Sequence, residues 1–383
     1  MIGSCVFARK RFIMYLGSAA ADAGRRNNFN LIRLLAATCV LSSHSFALST
    51  GDPANEPFAQ SLSINLGSLA VVVFFITSGY LVGGSLLSRG EPSRFVVSRA
   101  ARIYPALIVV SALTALVLGP LLSTSTPASY FARSGTYRYL LTNATAIFGT
   151  RFYLPGVFDH TPYRGTVNGA LWTLKFELWM YAVLLVTWLA TASRGHRRMF
   201  AAIVLSLVTV GTVHYWQRPE LQPAATNGLG KLGWLTPMFF LGVGAYLLRG
   251  RILMHWSIAL LAGIILLASV AGGPLVFKAA YPLCLAYLVL FVVYGVPVID
   301  WVLHADYSYG LYIYAFVVQQ TLAYCIPGIT AVWMTALALP ISLACAALSW
   351  HLIEKPSLAR VDRVAARLRS SVTRLRFGAA PAA

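Results

Sequence analysis

The stretch NLGSLAVVVFFITSGYLVGGS, residues 65–85, contains no Asp, Glu, Lys or Arg. Coiled as an α-helix at about 1.5 Å per residue, it is about 30 Å long, the thickness of a bilayer's hydrocarbon core. Working outward, comparable apolar windows fall at 29–49, 103–122, 171–190, 199–213, 234–248, 256–270, 277–294, 309–326 and 331–353. A soluble domain would show a polar face at helical or strand period, and these windows carry almost no charge. The fold class expected is all-α: a polytopic membrane protein that crosses about ten times, with both termini cytoplasmic.

Composition agrees, with 58% hydrophobic and 11% charged residues among 383. The formal net charge of +19 would suggest a nucleic-acid partner in a soluble chain. Here the basic residues gather on alternate loops, and no basic run is interleaved with stacking aromatics, so no nucleic-acid partner is expected. Arg9, Lys10, Arg11, Arg25 and Arg26 precede the first window, Arg89, Arg94, Arg99 and Arg102 follow the second, and Arg194, Arg197 and Arg198 follow the fourth. These segments are assigned to the cytoplasm. The acidic loop GDPANEPFAQSLS, residues 51–63, and the uncharged turn PGIT, residues 327–330, are assigned outward.

Three regions result: a basic leader, 1–28, a transmembrane domain, 29–356, and a basic tail, 357–383. The leader mimics a short signal peptide, but Arg25 and Arg26 follow directly and favour a cytoplasmic segment. Within the domain, the long outward loop 123–170 is a candidate acceptor-binding or lid segment. In the tail, Leu358, Val361, Ala365, Leu368, Val372 and Leu375 recur at helical spacing among arginines. That pattern reads either as an amphipathic helix on the inner leaflet or as a frayed tail that only sets topology. Cys5, Cys39, Cys284, Cys325 and Cys345 have no metal-ligand or redox spacing, so they read as reduced, packed thiols and no metal is expected.

Ionisable side chains inside spans are expensive and therefore mark candidate function. Arg33 and His44 stand eleven residues apart in NNFNLIRLLAATCVLSSHSF, close to three helical turns, so they share a face about 16 Å apart. Arg99 and Arg102, in SRAARIYP, share a face at i and i+3. Glu177, in GALWTLKFELWMY, is expected at the depth of His44. Three guanidiniums suit a phosphate-bearing donor, an imidazole suits proton removal from a hydroxyl, and a carboxylate can orient that imidazole. Blander readings stand beside these: His44 as a satisfied polar group between helices, Arg99 and Arg102 as snorkelling topology anchors, Glu177 as a counter-charge to Lys175.

At these residues the sequence resembles the membrane-bound acyltransferase-3 family, bacterial O-acyltransferases that modify surface and exported polysaccharides. NNFNLIRLLAATCVLSSHSF is similar to its first-helix motif, FFITSGYLV to its second-helix signature, and RAAR to its R-x-x-R motif. NGALWTLKFELWMY is similar to its Trp–Glu–Tyr pattern, with Trp172, Glu177 and Tyr181 in place. DYSYGLYIYAFVVQQ and SWHLIEKP resemble its closing helices, so the likeness runs from about residue 28 to 356. Asn30, Leu178 and Lys175 depart from it, standing where many members have Asp, Glu and a small residue.

The resemblance implies transfer of an acyl group, usually acetyl, from cytoplasmic acyl-CoA to a carbohydrate hydroxyl, in the inner membrane of a bacterium. It implies that His44 is the base and that Arg33, Arg99 and Arg102 are functional. The site expected is catalytic His44 and Glu177, acyl-CoA phosphates on Arg33, Arg99 and Arg102, and acceptor contacts at Trp172, Tyr181 and Asn168. Acyl-CoA is a co-substrate, with no permanently bound cofactor, and the partners are membrane lipid and a carbohydrate acceptor. The alternatives are a transporter of a lipid-linked saccharide and a structural partner of a polysaccharide synthase.

Overall fold

The computed structural model describes residues 14–23, 26–62, 64–217, 228–298 and 305–377. Arg9, Lys10, Arg11 and Arg25 of the leader, Cys5 and residues 378–383 of the tail lie outside them. Every apolar window becomes a helix, as it must where no water is present to satisfy backbone groups. In chain order these are α1 (Leu16–Ala23), α2 (Phe29–Thr50), α3 (Pro57–Leu62), α4 (Leu66–Arg89), α5 (Pro92–Ala112), α6 (Pro127–Ala132), α7 (Ser134–Thr145) and α8 (Leu174–Ala190). They continue as α9 (Arg197–Trp216), α10 (Gly228–Leu247), α11 (Trp256–Ala271), α12 (Pro274–Gly295), α13 (Ser308–Cys325), α14 (Ala331–Ser349) and α15 (Val361–Phe377).

Among the described residues, seven helical segments are long and apolar enough to cross a membrane. Three windows from the sequence fall short of that standard for separate reasons. With 16 residues, α11 reaches only about 24 Å. The α10 helix is rich in glycine and contains Lys231 and Pro237. The α13 helix carries two glutamines and four tyrosines, which it can afford because most of its length is buried against other helices rather than lipid.

Small residues set the closest packing. A Cβ on Gly79 of α4 would fall 1.9 Å from the Phe239 carbonyl oxygen, and one on Gly242 of α10 would fall 2.1 Å from the Ile76 carbonyl oxygen. The two backbones therefore touch, the usual route to tight helix association in membranes. The α5 helix continues through a π-helical segment, Leu113–Leu118, and α14 through another, Trp350–Glu354.

The segment between α5 and α8 is folded. Tyr130, Tyr139, Phe158 and Val167 form their own buried cluster. The Tyr130 hydroxyl donates to the Ala115 carbonyl at 2.7 Å, and the Asn143 amide both donates to and accepts from the Arg151 backbone at 2.9 Å. Gln320 of α13 ties this cap down by donating to the carbonyls of Tyr163 at 2.8 Å and Thr166 at 2.7 Å. At the opposite end, Met14–Tyr15 pairs antiparallel with Leu253–Met254. The tail helix α15 docks along α5, burying Val361 and Ala365, with Arg94 to Asp362 at 2.6 Å and Arg369 to Glu91 at 2.5 Å. Cys39, Cys284, Cys325 and Cys345 are free thiols; Cys325 is exposed rather than packed.

Candidate active site

The bundle has two chemically distinct ends, one holding Arg99 and Arg102 (the arginine end) and one beneath the folded cap (the loop end). At the arginine end a cavity of about 460 Å³ is lined by Arg33, Arg99, Arg102, Glu177, Tyr181 and Asp306, among others. Thus α2 and α5 bring the three sequence-predicted arginines around one space. Arg102 is the most heavily partnered: its Nη2 donates to Asp306 Oδ2 at 2.5 Å and its Nη1 to Glu354 Oε2 at 2.9 Å. Glu354 is 1% exposed, turned inward by the π-helical segment that ends α14, and accepts a further bond from Ser349 at 2.9 Å.

Asp306 stands just before α13, takes both the backbone and the hydroxyl bond of Ser308, and lies 3.8 Å from Arg33 Nε. Burial pushes its carboxyl up, but Arg102, Arg33 and the Ser308 bonds outweigh burial and hold it below the usual carboxylate range. Arg33 also donates to Ser78 Oγ at 3.4 Å and lies over the Phe74 ring. Arg99 differs from both. No described carboxylate lies within 4 Å of it; its guanidinium sits over the Tyr181 ring and borders a smaller pocket of about 140 Å³ with Arg89, Glu91 and Arg94, where Glu91 is paired with Arg369.

At the loop end, His44 lines a cavity of about 270 Å³ with Ser43, Asn65, Tyr163, Trp172, Lys231 and Tyr312. Its ring meets Phe316 edge-on, 5.0 Å between centroids, and its Nδ1 is buried with no hydrogen-bond partner among the described residues. Between the two cavities lies a throat of about 30 Å³. The throat shares Arg33, Ser78, Glu177 and Tyr309 with the arginine-end cavity, and Val71 and Tyr312 with the loop-end cavity. Arg33 lines the throat as well as the arginine-end cavity, and His44 lines the loop-end cavity.

Glu177 is not placed beside His44. It accepts from Ser78 at 3.2 Å and from the Tyr181 hydroxyl, and it lines the throat and the arginine-end cavity. The cause is local geometry: a 3₁₀ turn, Gly169–Thr173, precedes α8 and rises about 2.0 Å per residue, which sets Glu177 about 15 Å from the loop end. His44 lies about 9 Å from the end of α2. The expected acceptor contacts divide likewise. Trp172 lines the His44 cavity, and Tyr181 lies at the arginine end. Asn168 is buried, donating to the Ile313 carbonyl at 2.9 Å and accepting from the Ala170 amide at 3.2 Å, so its side chain caps the 3₁₀ turn.

Asp306, Glu354 and Lys231 are site residues that the sequence reading omits. A signal was available for the two acids, since both adjoin apolar windows in a chain with 11 Asp and Glu residues.

Comparison with known proteins completes the assignment. The family model described as an acyltransferase domain matches residues 26–351. Nodulation protein 10 of Rhizobium leguminosarum bv. viciae is 31% identical over 380 residues, covering 91% of this chain and 97% of that protein. The O-acetyl transferase of Shigella phage Sf6 is 30% identical over 367 residues, covering 88% of this chain and 97% of that protein. A putative membrane-bound transacylase, BcsY of Komagataeibacter xylinus, is 27% identical over 181 residues, covering 45% of each chain. No solved structure matches. With the family model spanning most of a chain of apolar helices, this protein belongs to the acyltransferase-3 family and is a multi-pass membrane acyltransferase.

Proposed function

We propose that the protein moves an acyl group, acetyl in the simplest case, from cytoplasmic acyl-CoA to a hydroxyl of a surface or exported polysaccharide or its lipid-linked precursor. The arginine end faces the cytoplasm and receives the donor; the loop end receives the saccharide. The observation that carries this reading is the throat, a small pocket that shares lining side chains with both a guanidinium-lined cavity and the one containing His44. At about 30 Å³ it has room for one or two water molecules. An extended pantetheine arm needs a smaller opening there than a sugar ring does, which favours delivery of an acyl group over transport of a saccharide.

Arg99, with no carboxylate against it, is the leading phosphate contact, and Arg33 lies along the arm's path. Arg102 serves the site by fixing Asp306 and Glu354 rather than by binding phosphate. At the loop end the His44 imidazole takes the proton of the acceptor hydroxyl as its oxygen attacks the thioester carbonyl; the ester forms and the CoA thiolate leaves. His44 works without a carboxylate partner, so its orientation rests on packing against Phe316.

The test uses the purified protein in lipid nanodiscs with radiolabelled acetyl-CoA and glycan from its host cells. His44→Ala should reduce transfer by at least about 100-fold while leaving thermal unfolding and acetyl-CoA binding in place. Unchanged transfer would remove the base assignment. Mass spectrometry of glycans from cells with and without the gene identifies the acyl group by its mass.

A further inference from the structure

The loop-end cavity carries an unbalanced positive charge that acyl transfer to a neutral sugar does not use. Of its charged side chains, Lys231 stands with no carboxylate in the lining. The Lys231 ammonium lies 4.9 Å from the Trp172 ring centroid, Trp172 is 5.8 Å from Phe176, and the Lys175 ammonium lies 4.8 Å over Phe176. Two ammonium groups thus flank one aromatic pair, and no described carboxylate comes within 4 Å of either. Aromatic faces hold a cation in place without cancelling its charge.

The contrast with the arginine end decides the interpretation. There Asp306 and Glu354 are set directly against Arg102, whereas no acid lines the cavity of Lys231. The folded cap is cationic as well, with Arg133, Arg138, Arg151 and Arg164 against the single acid Asp159 in 123–168. Phe152, Tyr163 and Thr166 of that cap line the same cavity as Lys231. Topology does not ask for positive charge on the side opposite the basic loops. A cationic rim around a cleft steers and holds anions.

Building on the acyl-transfer reading, we propose that the acceptor is an anionic saccharide, whose carboxylate or phosphate is held by Lys231 beside Trp172, with Lys175 behind the aromatic pair adding to the positive field, while a neighbouring hydroxyl reaches His44. Both sources present the same chemistry, a charged oxygen acceptor for an ammonium donor.

Binding of three probes to the full-length protein in nanodiscs tests this: tetragalacturonate, maltotetraose 1-phosphate and neutral maltotetraose. At low salt at least one anionic probe should bind about tenfold more tightly than maltotetraose, with the preference shrinking as salt rises. Which anionic probe wins distinguishes carboxylate from phosphate. The preference should vanish in the Lys175→Gln/Lys231→Gln double variant, persist in Lys231→Arg, and be untouched in His44→Ala. Equal or absent binding of all three probes, or a preference that survives the double substitution, overturns the proposal. Loss of transfer in His44→Ala is read separately, so failure of the catalytic assignment and failure of the anion site are distinguishable.

Discussion

Arg102 shows how a single residue changes meaning once its surroundings are known. In the sequence, RAAR presents two guanidiniums on one helical face. In the fold, Arg102 is consumed by carboxylates 204 and 252 positions away, and Arg99 alone is left without one. Removing one member of a buried charge pair strands the other. Glu354→Ala is therefore expected to destabilise the protein by about 3–5 kcal/mol, seen as a lowered Tm in detergent, with lost activity following lost structure. Arg99→Ala should do the reverse: acetyl-CoA binds about tenfold more weakly while Tm stays at the parent value. A Tm drop in Arg99→Ala with unchanged donor binding would exchange the two roles. Asp306 has its carboxyl depressed, so its stabilising contribution is present above the unfolded-state value of about 4 and is lost only as pH falls below it. Thermal unfolding measured from pH 8 to pH 5 should show no step from this group. Spacing along one helix made Arg33, His44 and the Arg99–Arg102 face legible, because those relations are local. The partners of Arg102 and the true neighbours of Glu177 were not legible, because they depend on how distant helices meet.

At the scale of elements, hydropathy located every long apolar helix, since exclusion of charge over about 20 residues is a property of sequence alone. What it could not give was the start of α5. Apolarity begins near Ile103, whereas the helix begins at Pro92, so Arg99 and Arg102 sit about two and three turns inside it rather than at its mouth. It also missed the 3₁₀ turn before α8, whose start two residues ahead of the apolar window, together with its steeper rise, sets Glu177 deeper than His44. The resemblance to acyltransferases supplied the motif positions and could not supply these offsets. The α4–α10 contact offers a direct check on packing. Because a Cβ at Gly79 would lie 1.9 Å from the Phe239 carbonyl oxygen, Gly79→Ala must push two backbones apart. A loss of about 2 kcal/mol or more is expected, read as a lower Tm in nanodiscs. Gly244, where nothing lies within 4 Å of an added Cβ, is the control: Gly244→Ala should be tolerated. Equal tolerance at both positions would mean that α4 and α10 do not touch as described.

For the molecule as a whole, the decisive feature is that the guanidinium-lined cavity and the His44 cavity lie toward opposite ends of one bundle, with Val71, Ser78 and Tyr312 among the side chains between them. On the proposed reading no saccharide has to cross the bundle: the pantetheine arm carries the acyl group into the constriction and the thiolate withdraws by the same route. That arrangement makes the throat a point where transfer can be stopped while the donor's phosphates still reach the arginine end. Val71 lines both the throat and the His44 cavity and is 6% exposed, so a bulkier side chain there intrudes on the passage. Val71→Trp is expected to lower transfer by about 100-fold or more, since small misplacements of reacting groups have costs of that order. Acetyl-CoA should still bind through its phosphates at the arginine end, with part of its affinity lost where the arm is blocked. Val71→Ala, which widens the passage, separates blockage from general damage to α4: it should retain transfer, and its Tm should fall by no more than that of Val71→Trp. If Val71→Trp transfers acyl groups at the parental rate, the group does not travel between these cavities, and donor and acceptor must meet on one side of the bundle.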